Sequence, residues 1–124
     1  MRYPQVLVYE RDGQLAALLK AGLEERKLKW VLREPRDPAG CLRLLARGGP
    51  AVVVVKLGRD LERELTLLDR VAALHPDLRS VVVGDADHVG LAGTAWDLGA
   101  AYVLLPPLSR TMLPEIVVGL MGTE

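Results

Sequence analysis

The chain of 124 residues has a single cysteine, no asparagine, no net charge and no long hydrophobic run. The lone Cys41 excludes a disulfide framework and a CxxC site, and it is typical of a protein from a reducing cytosol. No apolar stretch approaches the roughly 20 residues of a membrane helix, and residues 1–30 lack the pattern of a signal peptide. We therefore expect one cytoplasmic domain over residues 1–124, with no membrane partner.

Charge is balanced, with 16 basic and 16 acidic residues. A nucleic-acid-binding module would show a basic excess or a basic stripe, so we expect no nucleic-acid partner. Arginine outnumbers lysine twelve to four. Abundant ion-pairing residues and few heat-labile ones are typical of a thermophile, although a GC-rich genome produces much of the same bias.

Short Val-rich runs alternate with amphipathic stretches along the whole chain. Strands are predicted at residues 5–9, 30–32, 51–55, 81–83 and 101–105. Residues 51–55 read AVVVV, which is apolar at every position, so this strand is expected to be covered on both faces at the centre of a parallel sheet. The alternation predicts an α/β protein with a flavodoxin-like, three-layer, doubly wound parallel sheet of five strands in the order 2-1-3-4-5.

Five helices are predicted between and after these strands. Candidate N-caps precede four of them: Asp12, Asp37, Asp87, and Ser109 or Thr111. The third helix is predicted from an apolar stripe of Leu61, Leu65, Leu68 and Ala72. The fourth is predicted over residues 88–98, with Gly90 inside it and Trp96 in the core. The lone cysteine lies on the apolar face of the second helix, where we expect it to be buried and inert.

Ligands of such sheets bind beyond the carboxyl ends of the strands. The residues expected at that edge are Glu10, Arg11, Asp12, Lys56, Gly84, Asp85, Pro106 and Pro107. Two carboxylates, at positions 10 and 12, would suit Mg²⁺, but the Lys56 ammonium competes with any cation there. We predict instead that Lys56 forms an ion pair with Glu10, Asp12 or Asp85. The alternative is a Schiff-base or nucleophilic lysine, for which no His, Cys or Tyr is placed to assist.

No enzyme signature emerges from this pattern. The sequence contains no GxGxxG, GxxxxGK[ST] or GxSxG motif, and the acids and histidine of residues 85–88 are successive loop residues that seldom converge on one metal ion. We therefore expect no catalytic residue, no metal and no cofactor.

Several stretches resemble the receiver domain (CheY-like) family of bacterial response regulators. The run from Leu74 to Leu120 resembles that family's sequence from HPDLPVVVLT through the AL..GA helix to the KPF turn. Residues 51–57, AVVVVKL, resemble its DLVLLDL strand, and residues 6–12, VLVYERD, resemble the end of its VVDDD strand. The resemblance covers almost the whole chain and implies a stand-alone receiver-like protein without an output domain.

The positions that carry the family's chemistry have changed. The resemblance places the phosphate-accepting aspartate at Lys56, the acidic metal-binding pair at Glu10 and Arg11, the switch Thr or Ser at Gly84, the aromatic switch at Val103, and the lysine and cis-proline at Pro106 and Pro107. A lysine cannot form an acyl phosphate, and Arg11 places a positive charge where Mg²⁺ would bind. The resemblance therefore implies a pseudo-receiver of a signal transduction or regulatory system, with a cis Pro106–Pro107 bond.

The last third of the chain has little charge. Residues 88–123 contain three formal charges, on Asp97, Arg110 and Glu115. Positions that the resemblance places on the face of helix 4, strand 5 and helix 5 are small or apolar: Gly90, Thr94, Ala101, Tyr102, Met112 and Val118. These features predict a homodimer, a site for a signalling protein partner, or both; the alternative is a helix that is simply more buried than usual.

The alternative function is binding of a small ligand in the same crevice. A flavodoxin-like protein could bind a nucleotide or an anion near Arg11 and Lys56, although the crevice has no glycine-rich phosphate loop.

Overall fold

A computed structural model describes residues 4–10, 13–58, 60–85, 90–106 and 108–121. Its strands are β1 (Gln5–Tyr9), β2 (Val31–Arg33), β3 (Pro50–Leu57), β4 (Arg79–Gly84) and β5 (Tyr102–Leu104). Its helices are α1 (Gln14–Glu25), α2 (Pro38–Ala46), α3 (Leu61–Leu74), α4 (Leu91–Asp97) and α5 (Leu113–Leu120), the last preceded by a 3-10 turn at Arg110–Met112.

The strands form one parallel sheet in the order β2-β1-β3-β4-β5. This order confirms the flavodoxin-like topology predicted from the sequence. β3 lies at the centre, where Val52 to Val55 are completely inaccessible to solvent, as the AVVVV run predicts. In the register of β3 and β4, Lys56 lies beside Val83 and Leu57 beside Gly84, which brings the carboxyl ends of the two strands together.

Side chains of β3 alternate between two hydrophobic layers. Val53 and Val55 pack with the buried residues of α2, α3 and α4. Val52 and Val54 pack with those of α1 and α5. Because side chains two residues apart in a strand share a face, Lys56 projects toward the α1 and α5 side of the sheet.

Helices α1 and α5 approach each other closely at Gly22. A Cβ atom at this glycine would lie 2.5 Å from Cβ of Pro114, on the first turn of α5. The absent side chain at position 22 therefore sets the distance between the two helices that flank one side of the crevice.

Two helix starts differ from the sequence prediction. The N-cap of α1 is Gly13, with a φ of +73°, and Asp12 lies outside the described residues. Helix α4 begins only after Gly90, whose φ of +82° makes it the N-cap rather than an interior helical residue. The predicted cap Asp87 and its neighbour His88 also lie outside the described residues. A left-handed glycine ends the preceding loop in both cases, so the helix begins later than the apolar pattern suggests.

The predicted cap of α2 is confirmed, whereas the residue predicted to cap the last helix caps the 3-10 turn before α5. The Asp37 carboxylate accepts a hydrogen bond from the backbone N–H of Gly40 at 2.6 Å, with Pro38 as the first residue of α2. The Ser109 hydroxyl accepts one from the backbone N–H of Thr111, at the start of the 3-10 turn.

One prediction about side-chain burial was wrong. Trp96, assigned to the core, is 49% exposed, because α4 turns the opposite face, with Leu91 and Ala95, toward the sheet. On α3, Glu64, Leu67 and Val71 are buried with Leu68, while the other members of the predicted stripe are only partly buried. None of the helices that the structure describes is both long enough and apolar enough to span a membrane.

Candidate functional site

The candidate site is the crevice at the carboxyl ends of β1, β3 and β4. Lys56 is the penultimate residue of β3, and Asp85 directly follows β4. The Lys56 ammonium lies 3.8 Å from Oδ2 of Asp85. This contact confirms that the lysine forms an ion pair with a carboxylate proposed from the sequence, Asp85.

The two partners differ strongly in exposure. The Lys56 side chain is only 13% exposed, whereas the Asp85 side chain is 65% exposed at the mouth of the crevice. A nearly buried ammonium needs polar partners, and the Asp85 carboxylate is one such partner of Lys56 at the base of the crevice.

A second cation reaches the same carboxylate. The guanidinium of Arg110, in the 3-10 turn after β5, donates to the Oδ1 atom of Asp85. It also donates to Oε1 of Gln14, at the start of α1, at 3.3 Å. Asp85 thus lies between Lys56 and Arg110, and the network joins β3, β4, α1 and the approach to α5.

Arg110 was not predicted as a site residue. The sequence feature that could have indicated it is that Arg110 is the only lysine or arginine between positions 88 and 123. Its partners are 25 and 96 residues away in the chain, so no local pattern indicates them.

Glu10 caps the first helix. Its two carboxylate oxygens accept hydrogen bonds from the backbone N–H groups of Leu15 and Ala16, both at 2.8 Å. A carboxylate there satisfies two of the free N–H groups of α1 and faces the positive end of the helix dipole. The acid that would coordinate a metal in the predicted family pattern is therefore occupied with the backbone of α1.

Glu64 holds the loop that follows Lys56. This side chain is buried on α3, and its Oε1 atom accepts a hydrogen bond from the backbone N–H of Gly58 at 2.9 Å. Gly58 has a φ of +138°, a conformation that favours glycine. Sequence analysis missed this role, although a glutamate three residues after Leu61 and four before Leu68 was a visible break in the apolar stripe.

The other predicted positions that the structure describes, Gly84, Val103 and Pro106, add no reactive side chain to the crevice. Gly84, the predicted switch position, is buried at the end of β4. The side chain that contacts Lys56 belongs to the next residue, Asp85. Val103 is buried in the core, and Pro106 is exposed after β5. Arg11, Asp12 and Pro107 lie outside the described residues, and so does the predicted cis bond.

The predicted interface residues differ in exposure. Ala101, Tyr102, Met112 and Val118 are half-buried, and Thr94 is exposed. The rings of Trp96 and Tyr102 pack against each other with centroids 6.2 Å apart and planes tilted by 60°. This contact joins α4 to β5 and places an exposed indole next to the predicted surface.

Cys41 is fully buried in the layer formed with α2 and α3, as predicted. Burial in apolar surroundings, with a smaller contribution from the Asp37 carboxylate, raises the pKa of its thiol from 9.0 to about 12. The thiol is therefore protonated at neutral pH.

Comparison with known proteins identifies the fold. The chain resembles a response regulator from Thermotoga maritima, with a TM-score of 0.79 and 21% identity over 98% of this chain and 99% of that one. A CheY-like response regulator receiver domain protein from Methanospirillum hungatei JF-1 has a TM-score of 0.79 and 13% identity, over 97% and 94% of the chains. The signal receiver domain of a DNA-binding response regulator from Colwellia psychrerythraea 34H has a TM-score of 0.76 and 20% identity, over 97% and 99%.

These likenesses define the class of fold. The chain has the fold of CheY-like receiver domains over nearly its whole length, which confirms the fold that the sequence resemblance implied. No protein-family model and no curated protein sequence matches the chain.

Proposed function

We propose that this chain is a receiver-like protein of a signal transduction or regulatory system that is not phosphorylated at the usual position and acts through protein contacts. The observation that carries the proposal is the charge at the end of β3, where the nearly buried Lys56 ammonium is paired with Asp85.

The chemistry of the crevice supports the loss of phosphorylation. A protonated lysine has no lone pair and no carboxylate oxygen, so it cannot form the acyl phosphate of the receiver family. Its positive charge also disfavours Mg²⁺ at the same place. Glu10 is held by two backbone N–H groups of α1, one on each carboxylate oxygen, so its orientation is set by the start of that helix.

A receiver fold that has lost phosphorylation can still act through contacts made by its surface. We assign this role to the α4–β5–α5 face, defined by Thr94, Trp96, Ala101, Tyr102, Met112 and Val118. Two observations support the assignment: the exposed Trp96 ring packed on Tyr102, and the three formal charges in the whole of residues 88–123. Aromatic residues and methionine are enriched at protein interfaces, whereas charged residues are depleted from their centres. The face would contact a second copy of this chain or a signalling protein.

Incubation with acetyl phosphate and Mg²⁺ tests the first half of the proposal. We expect the intact mass to stay unchanged, and a Mg²⁺ titration followed by NMR to give no saturable shift at the Glu10 amide. A phosphorylatable receiver domain treated in parallel is the positive control. A gain of one phosphoryl mass by the wild type that Lys56→Gln abolishes would overturn the proposal, because the modification would then reside at position 56.

A further inference from the structure

A groove between α2 and the loop that follows β2 is lined by three arginines. It has a volume of about 350 Å³. Arg36 comes from the loop, whereas Arg43 lies in α2 and Arg47 is the C-cap of that helix, one turn later. All three side chains are exposed, and every residue that lines the groove belongs to the continuously described range 13–58.

The two acids of this groove already have partners within the chain. A carboxylate oxygen of Glu34 lies 3.8 Å from the Lys20 ammonium, and the Asp37 carboxylate accepts the backbone N–H of Gly40 as the cap of α2. Among the described residues, none of the three arginines forms an ion pair. The groove therefore offers three guanidinium groups to an anion from outside.

The surrounding sequence is positively charged as well. Residues 20–47 contain eight basic residues, half of those in the chain, and four acidic ones. Positions 1–3, 11 and 12, which precede and follow β1 in the chain, add two basic residues and one acidic one, so they supply no excess of negative charge. β2 is an edge strand, so this positive segment lies at the edge of the sheet opposite to β5.

The helix itself does not account for these arginines. Like charges four residues apart on a helix repel each other, as at Arg43 and Arg47. Nη2 of Arg43 lies 3.8 Å from the position that a Cβ atom of Gly40 would take, so this guanidinium turns back toward the start of α2. Arg36 directly precedes the N-cap Asp37. Cations stabilise a helix at its other end, so the positions of Arg36 and Arg43 are unfavourable without an anion.

We propose that the three-arginine groove, defined by Arg36, Arg43 and Arg47, binds an acidic segment of a partner protein. The planar fork of an arginine pairs with the two oxygens of a carboxylate, and arginine clusters recognise acidic motifs. Pro35 and Leu44 also line the groove, where both are half-buried and offer apolar contact to a side chain between the acids.

Two features of the groove distinguish this partner. The combination of arginines with apolar surface favours a peptide over a nucleic acid, whose regularly spaced phosphates need a longer basic track. The groove also lies at the opposite edge of the sheet from β5. It is therefore a second contact surface, and it does not rest on the role proposed for the α4–β5–α5 face.

An NMR titration with the acetylated and amidated peptide EELEE tests the site in the full chain. We expect saturable shifts at the amides of Gly40, Arg43 and Leu44, and a dissociation constant that rises with ionic strength because salt screens the charges. The uncharged peptide QQLQQ, of the same length, should produce no saturable shift.

Substitution of the arginines assigns the binding to the groove. Arg43→Gln should raise the dissociation constant for EELEE by about threefold, and Arg43→Gln combined with Arg47→Gln by about tenfold or more. Glutamine forms helices nearly as well as arginine does, so both variants should fold. Arg79→Gln is the matched control, because it removes the same charge from an exposed arginine at the start of β4 and should leave the affinity unchanged.

Three results would overturn the proposal. EELEE gives no saturable shift, its shifts map outside the groove, or Arg79→Gln weakens binding as much as the double variant does, which would mean that only net charge matters. A short DNA duplex that binds more tightly than EELEE at the same amides would also reject it, since the occupant would then be a nucleic acid. Met112→Glu, on the α4–β5–α5 face, should bind EELEE as the wild type does, so failure of one surface is distinguishable from failure of the other.

Discussion

Three carboxylates near the carboxyl edge of the sheet each hold a neighbouring part of the chain. Glu10 accepts two N–H groups of α1, Glu64 accepts the N–H of Gly58, and Asp85 contacts Lys56 and Arg110. At the scale of single residues, acids at this edge of the sheet serve to join elements to one another.

Glu10→Gln tests the capping role. Glutamine has one acceptor oxygen and no charge, so one of the two hydrogen bonds and the interaction with the helix dipole are lost. We expect the free energy of unfolding to fall by about 0.5–2 kcal/mol, the range of helix N-caps. Urea unfolding measures the change, and Glu24→Gln, an exposed position on the same helix, should stay within about 0.5 kcal/mol of the wild type. Equal losses for both variants would contradict the capping role.

The thiol of Cys41 should resist alkylation in the folded protein. A pKa of about 12 against an ordinary value of 9.0 lowers the thiolate fraction at pH 8 by about a thousandfold, and only the thiolate reacts. We expect the reaction with iodoacetamide to be slower by at least that factor than in urea-unfolded protein. Mass spectrometry over time gives both rates, and rapid labelling of the native protein at pH 8 would show that the site opens readily.

At the scale of elements, glycines have different roles in the helices. Gly13 and Gly90 adopt left-handed conformations that begin α1 and α4, whereas Gly22 lets α1 approach α5. Gly93, inside α4, has open space where a side chain would be. A glycine destabilises a helix because it loses more backbone conformational freedom on folding than other residues do. This cost is offset only where the missing side chain allows a close approach or where the backbone is left-handed.

A pair of alanine substitutions separates these roles. Gly22→Ala places a methyl group 2.5 Å from Cβ of Pro114, so α1 and α5 must move apart, at a cost of about 1–3 kcal/mol in the free energy of unfolding. Gly93→Ala meets no atom within 4 Å and should stabilise the protein by about 0.5–1 kcal/mol. Thermal and urea unfolding measure both. A stabilising Gly22→Ala would mean that the two helices pack less closely than described.

At the scale of the whole molecule, the distribution of charge distinguishes one surface. The α4–β5–α5 face lies in a segment with three formal charges, and the other 87 residues before it carry most of the charged side chains. Large apolar surface patches that are poor in charge often serve association.

Light scattering should therefore detect a dimer of the wild-type chain, and Met112→Glu or Val118→Arg should give a soluble monomer. Both residues are half-buried on the face, so a charge there would be desolvated on association. Leu74→Glu is the control, since Leu74 is 57% exposed at the end of α3, outside the face.

If the wild type is monomeric at high concentration, the homodimer is rejected, and only the binding of a different protein partner to this face remains of the proposal. If the face variants also retained every partner that the wild type captures from cell extract, this surface would not be the working one.

Much of the fold was readable from local sequence. The AVVVV run predicted a doubly covered central strand, and Asp37 and Ser109 were recognised as caps, because strand periodicity and capping depend on residues within about four positions of one another. The number and alternation of the elements then restricted the sheet to an order that the structure confirms.

The candidate site was only partly predictable. The chain itself determined that a lysine, and not an acid, lies at the penultimate position of β3 and that it would need a carboxylate partner. Tertiary structure supplied Asp85 as a partner: the register of β3 and β4 brings it to Lys56, and the turn after β5 adds Arg110, which is 25 residues away from Asp85 in the chain. It also decided that Glu64 is buried and that Trp96 is exposed, because the rotation of a helix on a sheet depends on how its whole face packs. Such contacts join residues that no sequence period connects, so they exist only once the crossovers have brought the strands together.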